Sequence, residues 1–468
     1  MLFSSIIFLS FFLPVVMAGY HIFTGENRLR WLLLASLFFY AWGEPKNIAI
    51  MLLVCLVNYG GAIAISKVHS KNRKLALLVC DVSLTLLVLV YFKYFNFILD
   101  NVNIAFNQSF EAKNIVMPLG ISFFIFQALS YVIDVYRKEV EPQTSFYRLT
   151  LYISFFPQLI AGPIVQYHDI VHDIENNNSE FSDIVYGLRR FIIGLGKKVL
   201  IANQLGEVAD NIFNSGFAYV DMPVAWIGAL CYSLQLLYDF SGYSDMAIGL
   251  GRIFGFHFLE NFNYPYISKS ITEFWRRWHI SLGAWFKKYV YISLGGNRLG
   301  NVRTYVNLTV VFFITGLWHG ANWTFILWGL WHGLFIVLER FAGIKTLSDD
   351  KYAVLRHVYT IFVFVIGWTM FRADSVAEGM GFIGTMFGLV QPESVAYTLD
   401  YYLQADKIII FLLALMGTMP VAGKFMDFLQ AGQWCKNAVY DIFIVGVLVL
   451  SMASLAASTY NPFIYFRF

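Results

Sequence analysis

The hydrophobic pattern divides the chain into long apolar stretches that are separated by short polar ones. A membrane-spanning helix needs about 20 mainly apolar residues, and such stretches recur along most of the chain. We therefore predict an all-α polytopic membrane protein with about eleven transmembrane helices, which form a single membrane-embedded domain over residues 1–468. The candidate spans are 3–23, 31–43, 47–66, 75–99, 115–136, 149–166, 224–250, 305–319, 321–341, 354–371, 408–422 and 438–457.

Three segments depart from the pattern of straight spans. The segment 149–166 contains two prolines and a glycine, so we expect it to bend or re-enter the membrane rather than cross it as one helix. Residues 305–341 form either two tightly joined spans or one span with a buried break. Residues 183–213 combine charged and apolar positions at helical spacing, which predicts amphipathic helices at the membrane interface.

Composition supports the membrane interpretation and removes several others. Hydrophobic residues make up 58% of the chain and charged residues only 13%, whereas ordinary soluble domains have about 25% charged residues. The net charge of +3 is scattered along the chain, so it gives no reason to expect nucleic acid as a partner. The cysteines show no CxxC spacing, and we expect neither a metal site nor a disulfide framework.

Basic residues in the short loops predict the orientation. With the N-terminus outside, the cytoplasmic loops of the first five candidate spans hold most of the lysines and arginines, as the positive-inside rule requires. We therefore predict a multi-pass protein of the cell membrane whose N-terminus lies outside. The outside loops would hold Lys46 and Lys113, and the cytoplasmic loops would hold Arg28, Arg30, Lys67, Lys71, Arg73, Lys74, Arg137, Lys138 and Arg148.

The polar segment 270–289 has the pattern of a helix with a clear start. Ser270 and Glu273 have the spacing of a capping box, and an aromatic face follows at about 100° per residue. His279 lies at the border of this face. The segment is either an interfacial helix that tolerates His279, or a site at which its cations bind a polyanion such as the phosphates of a cofactor. These cations are Arg276, Arg277, Lys287 and Lys288.

Another histidine lies between two apolar runs. His319 has Gly316 and Gly320 on either side, and these glycines allow a close approach of the backbone. An ionisable group at membrane depth is costly and suggests function by default, and imidazole titrates near neutral pH, so it is suited to proton transfer. The alternative is a core histidine that a neighbouring helix satisfies. His332 is ambiguous in the same way, and we interpret it as structural.

A further polar cluster closes the apolar run 224–250. Its carboxylates and hydroxyls either line a substrate passage or form a polar patch for helix packing. The sequence has no P-loop, no H-E-x-x-H zinc helix and no G-x-S-x-G elbow, which disfavours a P-loop transporter and a covalent serine hydrolase. The hypothesis that remains is a histidine base that acts on a bound acyl donor. The members of the cluster are Asp239, Ser241, Tyr243 and Asp245.

A series of ordered motifs runs from about residue 117 to residue 340. The motifs are Phe155–Pro163, Asp239–Gly251, Asn261–Tyr266, Phe274–Ser281, Leu294–Arg298, Gly316–Ala321 and Trp328–Gly333. Together they resemble the membrane-bound O-acyltransferases, and within these the bacterial alginate-type branch. The rest of the chain is similar to the family less specifically, so we take 117–340 as the motif-bearing catalytic core.

The resemblance implies both a fold and a chemistry. The fold would be a set of tilted helices with a central tunnel in a bacterial cell membrane, and Trp318 would lie along the substrate passage with the Asp239 cluster. His319 would be the catalytic histidine and His279 a supporting group. The family uses thioester donors, and in the alginate-type branch acetyl-CoA is a substrate rather than a permanently bound cofactor. The implied partners are the lipid bilayer, an extracytoplasmic acetyltransferase of the SGNH-hydrolase type and a polysaccharide acceptor.

Two other functions stay open at this point. Teichoic-acid D-alanyltransferases share the tryptophan–histidine motifs but take their acyl group from a carrier protein. The strings Trp275–Ser281 and Asp239–Ala247 look closer to the acetyltransferase branch. A transporter or flippase would also have intramembrane polar groups, but it is expected to show two halves with matching interrupted helices, and this sequence does not.

Overall fold

A computed structural model describes residues 1–160, 162–344, 352–421 and 433–464, without the side chains of 433–437. Within these ranges every regular element is helical, as the sequence predicts. Two features of the sequence analysis, Ala161 within the motif Phe155–Pro163 and the thiol of Cys435, lie outside the described residues and side chains. The chain divides into two compact units, which consist of Met1–Phe191 with Tyr243–Leu259 and of Ile192–Gly242 with Glu260–Phe468.

The first unit is built from the N-terminal helices around a core of aromatic rings. Phe3 is fully buried, and its ring centroid lies 5.0 Å from that of Phe8 and 4.6 Å from that of Tyr243. Its helices are α1 (Phe8–Ile22), α2 (Glu26–Gly43), α3 (Ile48–Lys67), α4 (Lys71–Phe106), α5 (Ile121–Arg137), α6 (Phe146–Ser154), α7 (Phe156–Leu159), α8 (Tyr167–Glu175) and most of α9 (Phe181–Gly196).

The predicted bend in 149–166 is present in the first unit. Helix α6 ends at Ser154, Phe155 takes a non-helical ψ of 112°, and the short α7 begins at Phe156. Pro157 stands in the first turn of α7, where its missing N–H leaves no helical hydrogen bond unmade. Proline therefore starts a new helix here instead of continuing the old one.

The second unit contains both histidines of the predicted site. Its helices are α10 (Asn203–Ser215), part of α11 (Met222–Ile253), α12 (Ile271–Arg277), α13 (Ile280–Trp285), α14 (Gly300–His319), α15 (Trp323–Phe341), α16 (Ala353–Arg372), α17 (Val376–Met386), α18 (Leu399–Tyr402), α19 (Ala405–Gly417) and α20 (Gln433–Ala457). Residues 305–341 thus form two helices, α14 and α15, with a sharp connection at 320–322. Phe325 and Trp328 of α15 share one core cluster with side chains of α16, and Phe312 of α14 belongs to a second cluster with Ile336 of α15.

Five helices in the described part of the chain are long and apolar enough to cross a membrane. They are Ile48–Lys67, Lys71–Phe106, Trp323–Phe341, Ala353–Arg372 and Ala438–Ala457. The shorter apolar helix Phe8–Ile22 adds a sixth hydrophobic segment of lesser length. A polytopic helical membrane protein is confirmed, whereas the number of about eleven crossings and the single-domain organisation stay predictions.

Candidate active site

The connection between α14 and α15 brings His319 against the following helix. A Cβ atom on Gly316 would lie 2.4 Å from the carbonyl oxygen of Phe325, and one on Gly329 would lie 2.3 Å from the carbonyl oxygen of Phe312. Only glycine fits at such distances, because real Cβ atoms do not approach backbone oxygens so closely. Asn322 then starts α15 by accepting a hydrogen bond from the Thr324 amide at 3.1 Å. The predicted close backbone approach beside His319 is therefore present.

Aromatic rings form the walls around His319. The imidazole is 6% exposed, and its centroid lies 4.9 Å from Trp318, 4.8 Å from Trp328 and 5.3 Å from Phe371. The Trp328 contact is edge to face, at an interplanar angle of 87°. Rings of this size restrict the rotation of the imidazole and exclude water from most of its surface. His319 is thus packed between aromatic rings that limit its rotation.

His279 stands at a break in the chain, and not on the continuous helix that the amphipathic pattern predicts. Helix α12 ends at Arg277, Trp278 is extended, and His279 has φ 45° and ψ 56° before α13 begins. A non-glycine residue in this left-handed region costs about 1–2 kcal/mol. The prediction of one helix over 270–289 is therefore wrong at its centre.

Asn261 compensates for the break. Its backbone oxygen accepts a hydrogen bond from the Ile280 amide at 2.9 Å, and its side-chain oxygen accepts one from the Ser281 amide at 3.1 Å. The hydroxyl of Ser281 donates to the same side-chain oxygen at 2.9 Å. These bonds satisfy the first amides of α13, which would otherwise be unpaired at a helix start. Sequence reasoning placed Asn261 in a motif but assigned it no role.

Asn261 also selects the tautomer of His279. The Nδ1 atom of His279 lies 3.1 Å from the side-chain oxygen of Asn261, which can only accept, so Nδ1 carries the proton. The Nε2 atom is then the acceptor, and it is buried without a hydrogen-bond partner among the described residues. Burial lowers the pKa of His279 to about 3, so the ring is neutral at physiological pH. The site thus contains a neutral imidazole with one unused basic nitrogen.

Trp318 has ring contacts with both histidines. Its ring centroid is 6.2 Å from that of His279 and 4.9 Å from that of His319. The ring of Phe240 also packs on His279, edge to face at 4.6 Å. The fold therefore brings together three residues that the sequence analysis singled out separately.

His332 is part of the same aromatic environment. Its ring is fully buried and lies 5.3 Å from Trp328 and 5.3 Å from Trp275. Trp328 therefore contacts both His332 and His319. Neither ring nitrogen of His332 has a hydrogen-bond partner within the described ranges. A structural role remains its simplest interpretation, although the contact with the Trp328 ring places it next to the site.

The four cations of 270–289 have different surroundings. Arg277 forms an ion pair with Glu273 at 2.9 Å and donates to the carbonyl of Asn263 at 3.1 Å, so much of its charge is already used. Lys288 lies over the ring of its neighbour Tyr289, at 5.1 Å from the centroid. The two remaining cations, Arg276 and Lys287, are exposed. A continuous helix would place Arg276 and Lys287 together on one flank and Arg277 and Lys288 further round, and the break between Arg277 and Ile280 removes that arrangement.

The proposed substrate-passage cluster is held by ion pairs and packing. In the second unit, Asp239 pairs with the buried Lys198 at 2.6 Å and accepts a hydrogen bond from the Ile464 amide at 3.1 Å, and Ser241 is buried. In the first unit, Asp245 binds Arg190 through two contacts of 2.7 and 2.6 Å, and Tyr243 stacks on Phe3. Both carboxylates thus have structural partners, and a role in a passage stays a prediction.

These features define a helical membrane protein with two enclosed histidines beside one tryptophan. The family model described as MBOAT, membrane-bound O-acyltransferase family, matches residues 35–377, and the chain belongs to that family. It is therefore an acyl-transferring enzyme of the membrane, and the catalytic core inferred from the motifs lies within the matched region.

Individual relatives show which kinds of acyl transfer are found in proteins similar to this chain. The chain is 38% identical to a protein of Pseudomonas putida named "Probable alginate O-acetylase AlgI", over 100% of both chains. It is 33% identical to the peptidoglycan O-acetyltransferase of Helicobacter pylori, over 100% of this chain and 98% of the relative. A teichoic acid D-alanyltransferase of Bacillus subtilis is 28% identical over 54% of this chain and 67% of the relative. The two O-acetyl-transferring relatives thus match the whole chain, and the D-alanyl-transferring one only part of it.

Proposed function

We propose that this protein transfers an acetyl group from acetyl-CoA towards a hydroxyl of an extracytoplasmic polysaccharide, with His319 as the general base. The observation that carries the proposal is an enclosed histidine pair in a chain whose full-length relatives are named for O-acetylation of alginate and of peptidoglycan. Both of those acceptors are carbohydrate polymers with free hydroxyls.

The chemistry requires one base and one leaving group. The acceptor oxygen attacks the thioester carbonyl carbon, the new C–O bond forms, and the C–S bond breaks. His319 takes the hydroxyl proton during the attack, and the departing thiolate of CoA receives that proton. The aromatic walls around His319 support this step, because they exclude water that would compete as acceptor.

The tautomer of His279 distinguishes between two supporting roles. With the proton on Nδ1, the Nε2 atom cannot donate a hydrogen bond to the thioester carbonyl. It can accept one, so we assign His279 to orienting the acceptor hydroxyl rather than to polarising the carbonyl. Trp318, which contacts both imidazoles, would separate the two positions.

The donor phosphates need cations that are not already paired. Arg276 and Lys287 are exposed and fit this requirement best, whereas Arg277 has Glu273 as a partner. We propose that the donor binds at the cytoplasmic side and that the N-terminus lies outside, as the loop charges favour. An extracytoplasmic transferase of the SGNH-hydrolase type would complete the delivery to the polysaccharide.

The test measures release of free CoA thiol from acetyl-CoA by the purified protein in lipid nanodiscs, with and without an oligosaccharide acceptor. We expect His319→Ala to abolish thiol release while the protein stays folded. His257→Ala is the matched control, since His257 is an exposed histidine paired with Asp173 in the first unit. Wild-type protein that releases no thiol from acetyl-CoA would contradict the proposal.

The identity of the acyl donor distinguishes an acetyltransferase from a D-alanyltransferase, and cleavage of its thioester distinguishes both from a transporter. We expect acetyl-CoA to support transfer and a D-alanyl-loaded carrier protein to support none. Transport of an intact substrate without thioester cleavage would favour the transporter class instead.

A further inference from the structure

Glu339 is a buried carboxylate in the membrane-spanning helix α15. Its side chain is fully buried, and both oxygens accept hydrogen bonds. One oxygen accepts from the Ile271 amide at 2.5 Å and from the hydroxyl of Tyr359 at 3.2 Å. The other accepts from the amide of Thr272 at 2.8 Å and from its hydroxyl at 2.7 Å. The carboxylate therefore joins α15 to the start of α12 and to α16.

The bonds from Glu339 replace a cap that the local sequence supplies only in part. The hydroxyl of Ser270 accepts from the Glu273 amide at 3.0 Å, and Glu273 reaches back to the amide of Lys269 at 2.9 Å rather than to that of Ser270. The first two amides of α12 are thus left for Glu339. A negative charge at this position also lies at the positive end of the helix dipole.

Hydrogen bonds and ring contacts both hold α12 on α15, where Trp275 also packs on His332. Glu339 binds the amides at the start of α12. The ring of Trp275 packs edge to face on Trp328 with centroids 5.7 Å apart. The ring of Trp328 is also one of the walls around His319, and α12 ends two residues before His279. The placement of α12 on α15 therefore affects the surroundings of both histidines.

We propose that Glu339 is a positioning residue for the acyl-transfer reaction. It fixes α12, which leads to His279, on α15, whose Trp328 packs against His319. The inference rests on the proposed function in that both histidines act on the same reacting groups. Glu339 itself bonds only to α12 and α16 in the described structure, so it acts through them.

The test uses Glu339→Gln, which keeps the shape but replaces one acceptor oxygen with a donor. An amide NH2 facing the Ile271 or Thr272 N–H puts two donors together, so α12 should shift from its place. We expect kcat for acceptor-dependent thiol release to fall about tenfold or more, since small displacements of catalytic groups reduce rates strongly. The KM for acetyl-CoA should change less than kcat does, because Lys287 lies beyond α13 and only Arg276 stands on the helix that shifts.

Two control variants test whether the effect is specific. Tyr359→Phe removes only the longest bond to Glu339, at 3.2 Å, and we expect kcat within about twofold of wild type. Thr360→Val removes a buried hydrogen bond from the neighbouring residue of α16 to the Arg356 carbonyl of the same helix. If Thr360→Val lowered kcat as much as Glu339→Gln does, the positioning role would be overturned.

A measurement that does not depend on activity accompanies the kinetics. Hydrogen–deuterium exchange of the segment 271–285 should become faster in Glu339→Gln and stay unchanged in Thr360→Val. Unchanged exchange, or a wild-type kcat in Glu339→Gln, would refute the proposal. If the wild-type protein released no thiol, the proposed function would fail, and the exchange data would still decide whether Glu339 holds α12 in place.

Discussion

Asn261 offers the sharpest test of how the site is built. Its side-chain oxygen is the shared acceptor for three donors, which are His279 Nδ1 at 3.1 Å, the Ser281 amide at 3.1 Å and the Ser281 hydroxyl at 2.9 Å. Asn261 is fully buried and His279 nearly so. The change to alanine removes this acceptor at a position that is shielded from bulk water.

The magnitude follows from the number of donors left unpaired. Each buried donor without a partner costs about 1–3 kcal/mol. Two of the three donors belong to Ser281, which is only partly buried, so its hydroxyl can turn towards another acceptor. Two donors are then left, so we expect Asn261→Ala to lower the free energy of unfolding by about 2–6 kcal/mol.

Activity should fall further than stability alone explains. Without Asn261 the proton of His279 is free to move from Nδ1 to Nε2. In the molecules with the proton on Nε2, that nitrogen can no longer accept a hydrogen bond from the acceptor hydroxyl and orient it. The left-handed backbone of His279 also loses the bonds that offset its strain. We expect kcat for thiol release to fall about 10- to 100-fold, which corresponds to about 1.4–2.7 kcal/mol of activation free energy.

The assay combines thiol-release kinetics in nanodiscs with thermal unfolding followed by tryptophan fluorescence. Asn263→Ala is the matched control, because Asn263 is the same residue type two positions away with an exposed side chain. Wild-type kinetics and an unchanged unfolding midpoint in Asn261→Ala would refute the role of Asn261 as the acceptor that fixes the tautomer of His279.

Two further predictions concern packing and pH. Gly316→Ala places a Cβ atom 2.4 Å from the Phe325 carbonyl oxygen, so α14 and α15 must separate, and we expect a loss of about 1–3 kcal/mol in stability and loss of thiol release. The control is Gly446→Ala, whose added Cβ meets nothing within 4 Å and which should be neutral in both assays. A neutral Gly316→Ala would contradict the close packing of the two helices. Burial lowers the pKa of His279 from 6.5 to about 3, so on acidification the imidazole of the unfolded chain is protonated before that of the folded protein. The contribution of His279 to stability should therefore be full above about pH 6.5 and fall as the pH drops towards 3. His279→Asn, which tolerates the left-handed backbone, should show a shallower fall of the unfolding midpoint between pH 7 and 4 than wild type, and identical slopes would count against a neutral buried imidazole.

The sequence alone predicted the elements that short-range patterns determine. The five helices of spanning length follow from runs of apolar residues, because the length of a helix that crosses a bilayer is set by the thickness of the hydrocarbon layer. The bend near Pro157 and the close helix contact at Gly316 follow from the properties of single residue types. His319 was also found locally, as an ionisable residue between apolar runs.

Only the tertiary structure decided how these elements form a site. The aromatic period continues across Trp278 and His279, so the pattern gives no sign of the break that the structure contains. The break depends on Asn261, which is 18 positions from His279, and the start of α12 depends on Glu339, which is 68 positions from Ile271. Hydrogen bonds between residues so far apart in sequence leave no periodic signal, because their partners are set by chain packing. For the same reason, the sequence could not show that Asp239 already has Lys198 as its partner.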